Sequence, residues 1–504
     1  MEESRSEEQI LDVPRGEAES PASQLAVEGR ERLEKVVELC KRRGFVFPSG
    51  ELYGGIQGFW DYGHYGVELR RAIRDFWWKR VVEEREDVVG LDSAIITHPE
   101  TWVASGHVGA FHDLMVDDLD TKERFRLDNL RWQKEEHFWE AVKLLEAVGE
   151  EGFWQAVEER LGYIPASPTT GNHRFTPPRR FNLMFKTFVG PVEDESSLAW
   201  LRPETCQSIF LHFDDVVTVN RMRVPFGIAQ VGKAFRNEIT PQRFIFRSRE
   251  FVQMELEFFV HPQDKERWFD YWLEERERWY RELGIRGENL RLRPHRQDEL
   301  AHYAERCTDV EYRFPWGWGE LEGIADRGDF DLRQHQEHSG KSLEYFDQER
   351  GEKYLPHVVE CSAGLDRTML VVLLDAYDVD LAETGAEARQ AGRAEVEPRV
   401  VMRFSPRVAP IQVAVLPLRK NRHGEQARRL SAELRRYFRV EYDDAGSIGR
   451  RYRRQDEIGT PFCLTWDNQS DEDQTVTVRD RDSREQVRVA VDKLRDYLEE
   501  KFQL

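Results

Sequence analysis

The chain has 504 residues, of which 39% are hydrophobic and 34% charged, and its formal net charge is −21. That length suffices for about three domains of ~150 residues. The acidic balance excludes a surface that is basic throughout, the usual mark of a nucleic-acid binder, so any RNA contact must rest on local basic patches. Cys40, Cys206, Cys307, Cys361 and Cys463 are scattered with no close pair, which speaks against a disulfide framework and against zinc, and for a reducing compartment. No apolar run approaches ~20 residues, so no membrane span is expected. The opening residues MEESRSEEQI lack the apolar core of a secretory leader. We therefore expect a cytoplasmic protein.

In chain order, residues 1–25 are acidic and rich in Glu, Ser and Pro, which predicts a disordered extension. A helix is predicted from Val27 to Arg43, closed by Gly44. Glycines 54, 55, 58, 63 and 66 mark a strand–turn region. Leu69, Ile73, Phe76, Trp77 and Val81 then recur at helical spacing. Ala94–Thr97 reads as a strand closed by His98-Pro99, and residues 101–165 as a mainly helical insertion. The main sheet resumes at Pro177.

The stretch Gln230–Phe259 organises the rest. Phe235–Glu238 end a run of strand character, and Thr240-Pro241 supply a turn. From Val252 to Phe258 the residues alternate, which sends Gln253, Glu255 and Glu257 to one face. Residues 262–310 read as a second, helical insertion whose Trp268, Phe269, Trp272 and Leu273 form scaffold. Val358–Arg367 reads as a strand ending in small residues before a buried helix that includes Met369–Leu374. Residues 377–398 read as surface and linker. From Pro406 strands and helices alternate, which predicts a separate α/β unit. Arg450, Arg451, Arg453 and Arg454 are expected to form a phosphate-contacting cluster there.

Three ordered pieces carry a resemblance. Phe235-Arg236-Asn237-Glu238, a loop, and Arg247, Phe251 and Glu255 resemble motif 2 of class II aminoacyl-tRNA synthetases. The helix after Val67 with His98-Pro99 resembles motif 1, and Val358–Arg367 resembles motif 3. The words FVFPSGELYGG, GFWDYGHYGVELRRAI, ASGHVGAFHDLMVDD and PRRFNLMFKT are similar to those of the homodimeric glycyl-tRNA synthetase family. The chain departs from that pattern at His64, Tyr65, Cys206, Ser208 and Cys361.

The resemblance implies an α+β catalytic domain over 26–395, with an antiparallel sheet flanked by helices, and an α/β anticodon-binding domain over 396–504. It implies glycine activation by ATP and transfer to the 3′ end of glycine tRNA. Other class IIa synthetases (threonyl, prolyl, histidyl) fit the E-T-x-Q and FNLMF words less well. A non-catalytic synthetase-like regulator would be expected to have lost Arg236, Glu204 or Arg367.

For catalysis the resemblance implies Arg236 on the α-phosphate, Arg367 on the γ-phosphate and Glu238 beside them. For ATP it adds Asn237, Phe246, Arg247, Ser248, Arg249, Glu250, Phe251 (stacked on adenine), Glu320, Leu321, Gly364, Leu365 and Asp366. For glycine it implies Arg126, Glu204, Phe251, Val252, Gln253, Met254, Glu255, Glu360, Cys361, Ser362, Ala363 and Gly364. Glu204 would receive the ammonium, and Glu320 would hold Mg²⁺ through the phosphates of ATP. His335 and His338 carry no metal role in the resemblance. Many bacterial relatives have a C-x-x-C where this chain has Asp118 and Thr121, so no zinc is expected. A homodimer is expected, with Phe76 and Trp77 buried across its two-fold axis.

Overall fold

The computed structural model describes residues 21–383 and 396–502 apart from Gln242 and His302. The expected disorder of residues 1–20 lies outside the described residues, whereas 21–25 already belong to helix α1 (Pro21–Arg43). Short strands β1 (Val46–Pro48) and β2 (Trp60–Tyr62) pair and lead into α2 (His64–Trp78). Leu69, Ile73, Phe76, Trp77 and Val81 are at most 5% exposed and belong to the main core. This corrects the expected place of Phe76 and Trp77: both are spent inside the protomer, Phe76 stacking on Trp279 at 6.0 Å.

The catalytic core is a seven-stranded sheet. Its members are β3 (Val88–Gly90), β7 (Phe226–Phe235), β8 (Glu250–Val260), β9 (Leu290–Pro294), β10 (Arg306–Phe314), β11 (Gly317–Gly328) and β12 (His357–Gly364). Their spatial order is β9-β10-β11-β12-β8-β7-β3, antiparallel except that β3 runs parallel to β7. The expected strand at Ala94–Thr97 is instead Val88–Gly90. Side chains hold the later segment: Ser93 N–H donates to Gln230 Oε1 at 2.7 Å, and Arg202 Nη1 donates to the Ser93 carbonyl at 3.0 Å.

Most of the first insertion is helical, chiefly α3 (Glu135–Leu161), but it also carries the strands β4 (His112–Asp117) and β5 (Arg124–Arg126), and β4 pairs with β6 (Arg179–Asn182) as well. The word after Pro177 therefore joins this small sheet rather than the main one. Its own core includes Phe125, Leu127, Ala141, Phe153 and Val157. Residues 262–310 are not a separate helical insertion: among the described residues Lys265–Glu282 forms the one α-helix, α5, flanked by short 3-10 turns, and the chain then supplies β9 and the start of β10 to the main sheet. Phe269, Trp272, Trp279 and Tyr280 of α5 cover the sheet.

Helix α4 (Cys206–Leu211) and α6 (Phe330–Ser339) flank the active-site face, and α7 (Leu365–Ala376) is buried through Met369–Leu374. Of the expected linker over 377–398, residues 384–395 lie outside the described residues; on either side of them β13 (Tyr377–Glu383) and β14 (Val396–Met402) pair antiparallel across the expected domain boundary. The C-terminal sheet follows: β15 (Val413–Pro417), β16 (Val440–Tyr442), β17 (Phe462–Trp466), β18 (Thr475–Asp480) and β19 (Gln486–Ala490). Their order is β16-β15-β17-β18-β19, with α8 (Lys420–Leu434), α9 (Ile448–Ile458) and α10 (Leu494–Phe502).

Candidate active site

The face carrying Gln253, Glu255 and Glu257 is polar but not solvated: these residues are 6%, 1% and 0% exposed. Strand register explains what they meet. Glu255 lies between Gln230 on β7 and Ser362 on β12, and Glu257 lies opposite Glu360. Carboxylates without water must find donors or lose their charge. Glu255 Oε2 accepts from the Thr205 N–H at 2.9 Å and from its hydroxyl. Its Oε1 accepts from Ser362 Oγ at 2.8 Å and Gln253 Nε2 at 2.9 Å. Burial, with Glu204 nearby, still raises the Glu255 pKa. Glu360 accepts from Arg327 Nη1 at 2.6 Å, and burial pushes its pKa up to about 7. Neither oxygen of Glu257 has a partner, and its pKa lies well above the usual range because of burial and Glu360.

Glu204 stands where α4 begins. His107 Nε2 lies 3.2 Å from its Oε2, and Oε1 accepts from Gln207 Nε2 at 3.1 Å and Cys206 Sγ at 3.0 Å. Burial works against its charge, but His107 and Arg327 hold its pKa well below the usual range. The Cys206 thiol is pushed up by burial and the nearby Glu204 charge, as suits a small filler. A buried chain supports Glu204 from below. Gln207 Nε2 donates to Asp331 at 2.9 Å, Asp331 accepts two bonds from Arg327, and His335 Nε2 meets Gln207 Oε1 at 2.8 Å. Arg202 Nε donates to the Lys233 carbonyl and its guanidinium lies over Gly232, where a Cβ would sit 2.3 Å from Nη2.

Beside this lies a cavity of about 340 Å³ walled by Arg236, Glu238, Phe246, Arg247, Phe251 and Arg367, with Arg126, Ser248, Gln253, Glu320, Ser362, Gly364 and Asp366 also on its surface. Arg236 packs between the rings of Phe111 and Phe251, each centroid 5.4 Å from its guanidinium, and its Nε donates to the Pro203 carbonyl. Arg367 lies over the Phe246 ring at 4.4 Å and donates to the Glu320 carbonyl at 3.1 Å. Arg367 holds the Glu320 carboxylate below its usual pKa. Arg126 lies between Asp113 at 3.3 Å and Asp128 at 2.8 Å.

Not every expected residue lines this cavity. Arg249 bonds the carbonyls of Glu238 and Gln57, and Glu250 pairs with Lys233. Asn237 takes part through its backbone N–H, on the Leu183 carbonyl. Met254, Leu321, Cys361, Ala363 and Leu365 face the hydrophobic core. Val252 offers its N–H to Asp366 at 2.7 Å. Asp366 is a brace: it also accepts from Tyr62 and pairs with Arg70 at 3.0 Å, tying α2, β8 and α7 together.

Sequence reasoning gave no role to His107, Arg327, Asp331, His335, Tyr62 or Arg70. Apart from the i,i+4 pair of Arg327 with Asp331, their partners lie far along the chain, and only the alternation of β8 signalled a buried polar face that needed them. The basic cluster of α9 is a further correction. Helical spacing turns Arg451 inward onto the Pro417 and Gly446 carbonyls and pairs Arg454 with Asp443. Asp118 is buried, and its Oδ1 accepts from the Asp120 and Thr121 N–H groups.

Residues 191–376 match the family model described as tRNA synthetase class II core domain (G, H, P, S and T), and residues 412–501 match an anticodon binding domain. A glycine–tRNA ligase of Caldanaerobacter subterraneus subsp. tengcongensis is 49% identical over 93% of this chain and 98% of its own length. Those of Mycolicibacterium paratuberculosis and Geobacillus thermodenitrificans are 50% identical (92% of this chain, 97% of theirs) and 49% identical (93% and 97%). The fold thus joins a class II core to an anticodon-binding domain, and the chain belongs to the glycine–tRNA ligase family of class II aminoacyl-tRNA synthetases.

Proposed function

We propose that this protein activates glycine with ATP and transfers the glycyl group to the 3′ end of glycine tRNA, in cytoplasmic protein synthesis. The observation that carries this reading is the juxtaposition of a cluster of buried carboxylates, Glu204 and Glu255, with an arginine–phenylalanine cavity suited to a nucleotide. The substrate carboxylate is itself the nucleophile, so rate enhancement rests on positioning and on charge stabilisation at the α-phosphate. Arg236 reaches toward both sites and suits the α-phosphate, because its planar fork can bind two oxygens. Phe251 offers a stacking face for adenine and Arg367 a charge for the γ-phosphate. Glu238 stands buried beside Arg247, at 4.0 Å.

For Mg²⁺ the fit is reasonable. Glu320 is half-exposed on the cavity wall among arginines, and with phosphate oxygens it would hold an ion that offsets the charge of leaving pyrophosphate. Glu204 and Glu255 would receive the glycine ammonium, with Ser362 fixing Glu255. Close walls would exclude a methyl group more sharply than affinity could. For zinc the donors at the expected knuckle do not fit, since Asp118 already accepts bonds from its own turn and Thr121 is a weak ligand. Stoichiometric zinc in the purified protein would overturn that part of the reading. The homodimer is retained as a proposal, carried by family membership and no longer by Phe76 and Trp77. Light scattering that shows only monomer at micromolar protein would sink it. An aminoacylation assay with the twenty amino acids tests the whole: glycine alone should be charged.

A further inference from the structure

A second cavity, about 960 Å³, lies on the other side of the β10–β11 hairpin from the nucleotide site. Its walls come from α1, from Arg243 in the loop between β7 and β8, from the segment before β9, and from the hairpin tip. They carry five arginines, Arg30, Arg32, Arg243, Arg286 and Arg313, and no acidic residue. In a chain with 95 acidic against 74 basic residues that segregation is a strong local signal. Among the described residues Arg286 is the one of the five that pairs with a carboxylate, Asp375 at 3.3 Å. Arg32 donates to the Leu374 and Tyr377 carbonyls. Arg30, Arg243 and Arg313 are exposed. Arg243 lies over Trp316 at 4.8 Å. Trp318 at the tip is 37% exposed.

Exposed guanidinium groups held apart from carboxylates suit phosphates. The two cavities also share a wall. Phe246, which Arg367 covers on the nucleotide side, packs against Phe314 at 4.9 Å and Trp316 at 5.1 Å. A ligand in the arginine cleft is thus one aromatic layer from the place where the RNA 3′ end must arrive. We propose that this cleft grips the phosphate backbone of the tRNA acceptor arm, an inference that rests on the tRNA-charging function above. Arg30, Arg243 and Arg313 neutralise phosphates.

The test uses the full chain carrying Arg30→Glu and Arg313→Glu, both exposed and outside the nucleotide and glycine sites. Glycine-dependent ATP–pyrophosphate exchange needs no RNA and should stay within about twofold of the parent. The KM for tRNA in aminoacylation should rise about tenfold or more. Binding of an acceptor-arm minihelix RNA should lose about one unit of salt slope per arginine, about two in all. Arg30→Lys with Arg313→Lys should recover most of both. Unchanged tRNA KM and salt slope would overturn the proposal. So would a loss of exchange in step with charging, which would assign the cleft to the nucleotide site or the fold. A loss of tRNA affinity accompanied by conversion of dimer to monomer would also overturn it, since the cleft would then be a contact between copies. If the parent exchanges pyrophosphate with glycine but charges no tRNA, the functional reading fails instead.

Discussion

The glycine end and the nucleotide end of the active site are built on opposite plans. At the glycine end nearly every polar atom is already engaged: Glu255 accepts four hydrogen bonds, Glu204 has three neighbours, and Arg327 is clamped between Asp331 and Glu360. At the nucleotide end Arg236 is held by rings and the Pro203 carbonyl, Arg247 lies 4.0 Å from Glu238, and Arg367 covers the Phe246 ring and pairs with Glu320 at 3.3 Å, so that three arginines on an open cavity face two carboxylates. The difference follows from ligand size. Glycine offers no side chain to grip, so its pocket must be fixed before the ligand arrives. ATP brings rings and many phosphate oxygens, so its site can wait as unneutralised charge.

The comparison is sharpest where it is most costly to break. Arg236→Ala or Arg367→Ala removes a charge that the transition state needs, and pyrophosphate exchange should fall by about 10²–10³ in kcat, with little change in any glycine binding that persists. Glu204→Gln keeps shape and removes charge. A hydrogen bond to a charged group contributes roughly 1.5–3 kcal/mol, so kcat/KM for glycine should fall about ten- to a hundredfold while the KM for ATP barely moves. An unchanged glycine dependence would leave recognition to shape and to Glu255.

Ser362→Ala takes one of four donors from Glu255, and the glycine KM should rise about two- to tenfold. The smallest effect concerns pH. Burial raises the Glu360 pKa to about 7, so its neutral form is the one the fold favours. Any stability it contributes is present at low pH and lost as pH climbs toward 7. Its charge, once formed, adds to the negative field around the ammonium. The glycine KM should therefore fall about two- to threefold across neutrality, and Glu360→Gln should flatten that profile. A profile identical in the two proteins would remove Glu360 from the pocket's electrostatics.

Much of the nucleotide end was legible in the sequence. Arg236, Phe246, Arg247, Phe251 and Arg367 occupy two contiguous words, and local spacing carries them to one cavity. The glycine end was half legible. Alternation placed Gln253, Glu255 and Glu257 on one face, but whether that face met water depended on α4 and α6, which pack on it from more than forty residues away in sequence. His107 and Arg327 were invisible for the same reason, since a lone His or Arg has no local pattern. The strand at 88–90 and those after 289 were misread because their neighbours in the sheet, not their own residues, define them. The arginines of α9 misled in the other direction: four in five residues looked like one patch, and helical periodicity divided them between inside and outside.

Helix α2 has a mechanical consequence. Near its start Tyr65 donates to Glu441 of the C-terminal domain at 2.6 Å, and Arg43 at the end of α1 holds Glu457 at 2.6 Å. Five residues beyond Tyr65, Arg70 holds Asp366 on the floor of the nucleotide site. At 1.5 Å per residue the two attachments stand roughly 8 Å apart on one stiff rod. A swing of the C-terminal domain has two courses. It gives up the bonds to Tyr65 and Arg43 first, or it drags the rod and shears the Asp366 junction where α2, β8 and α7 meet. The C-terminal domain and the wall of the arginine-lined cavity are therefore joined through α2.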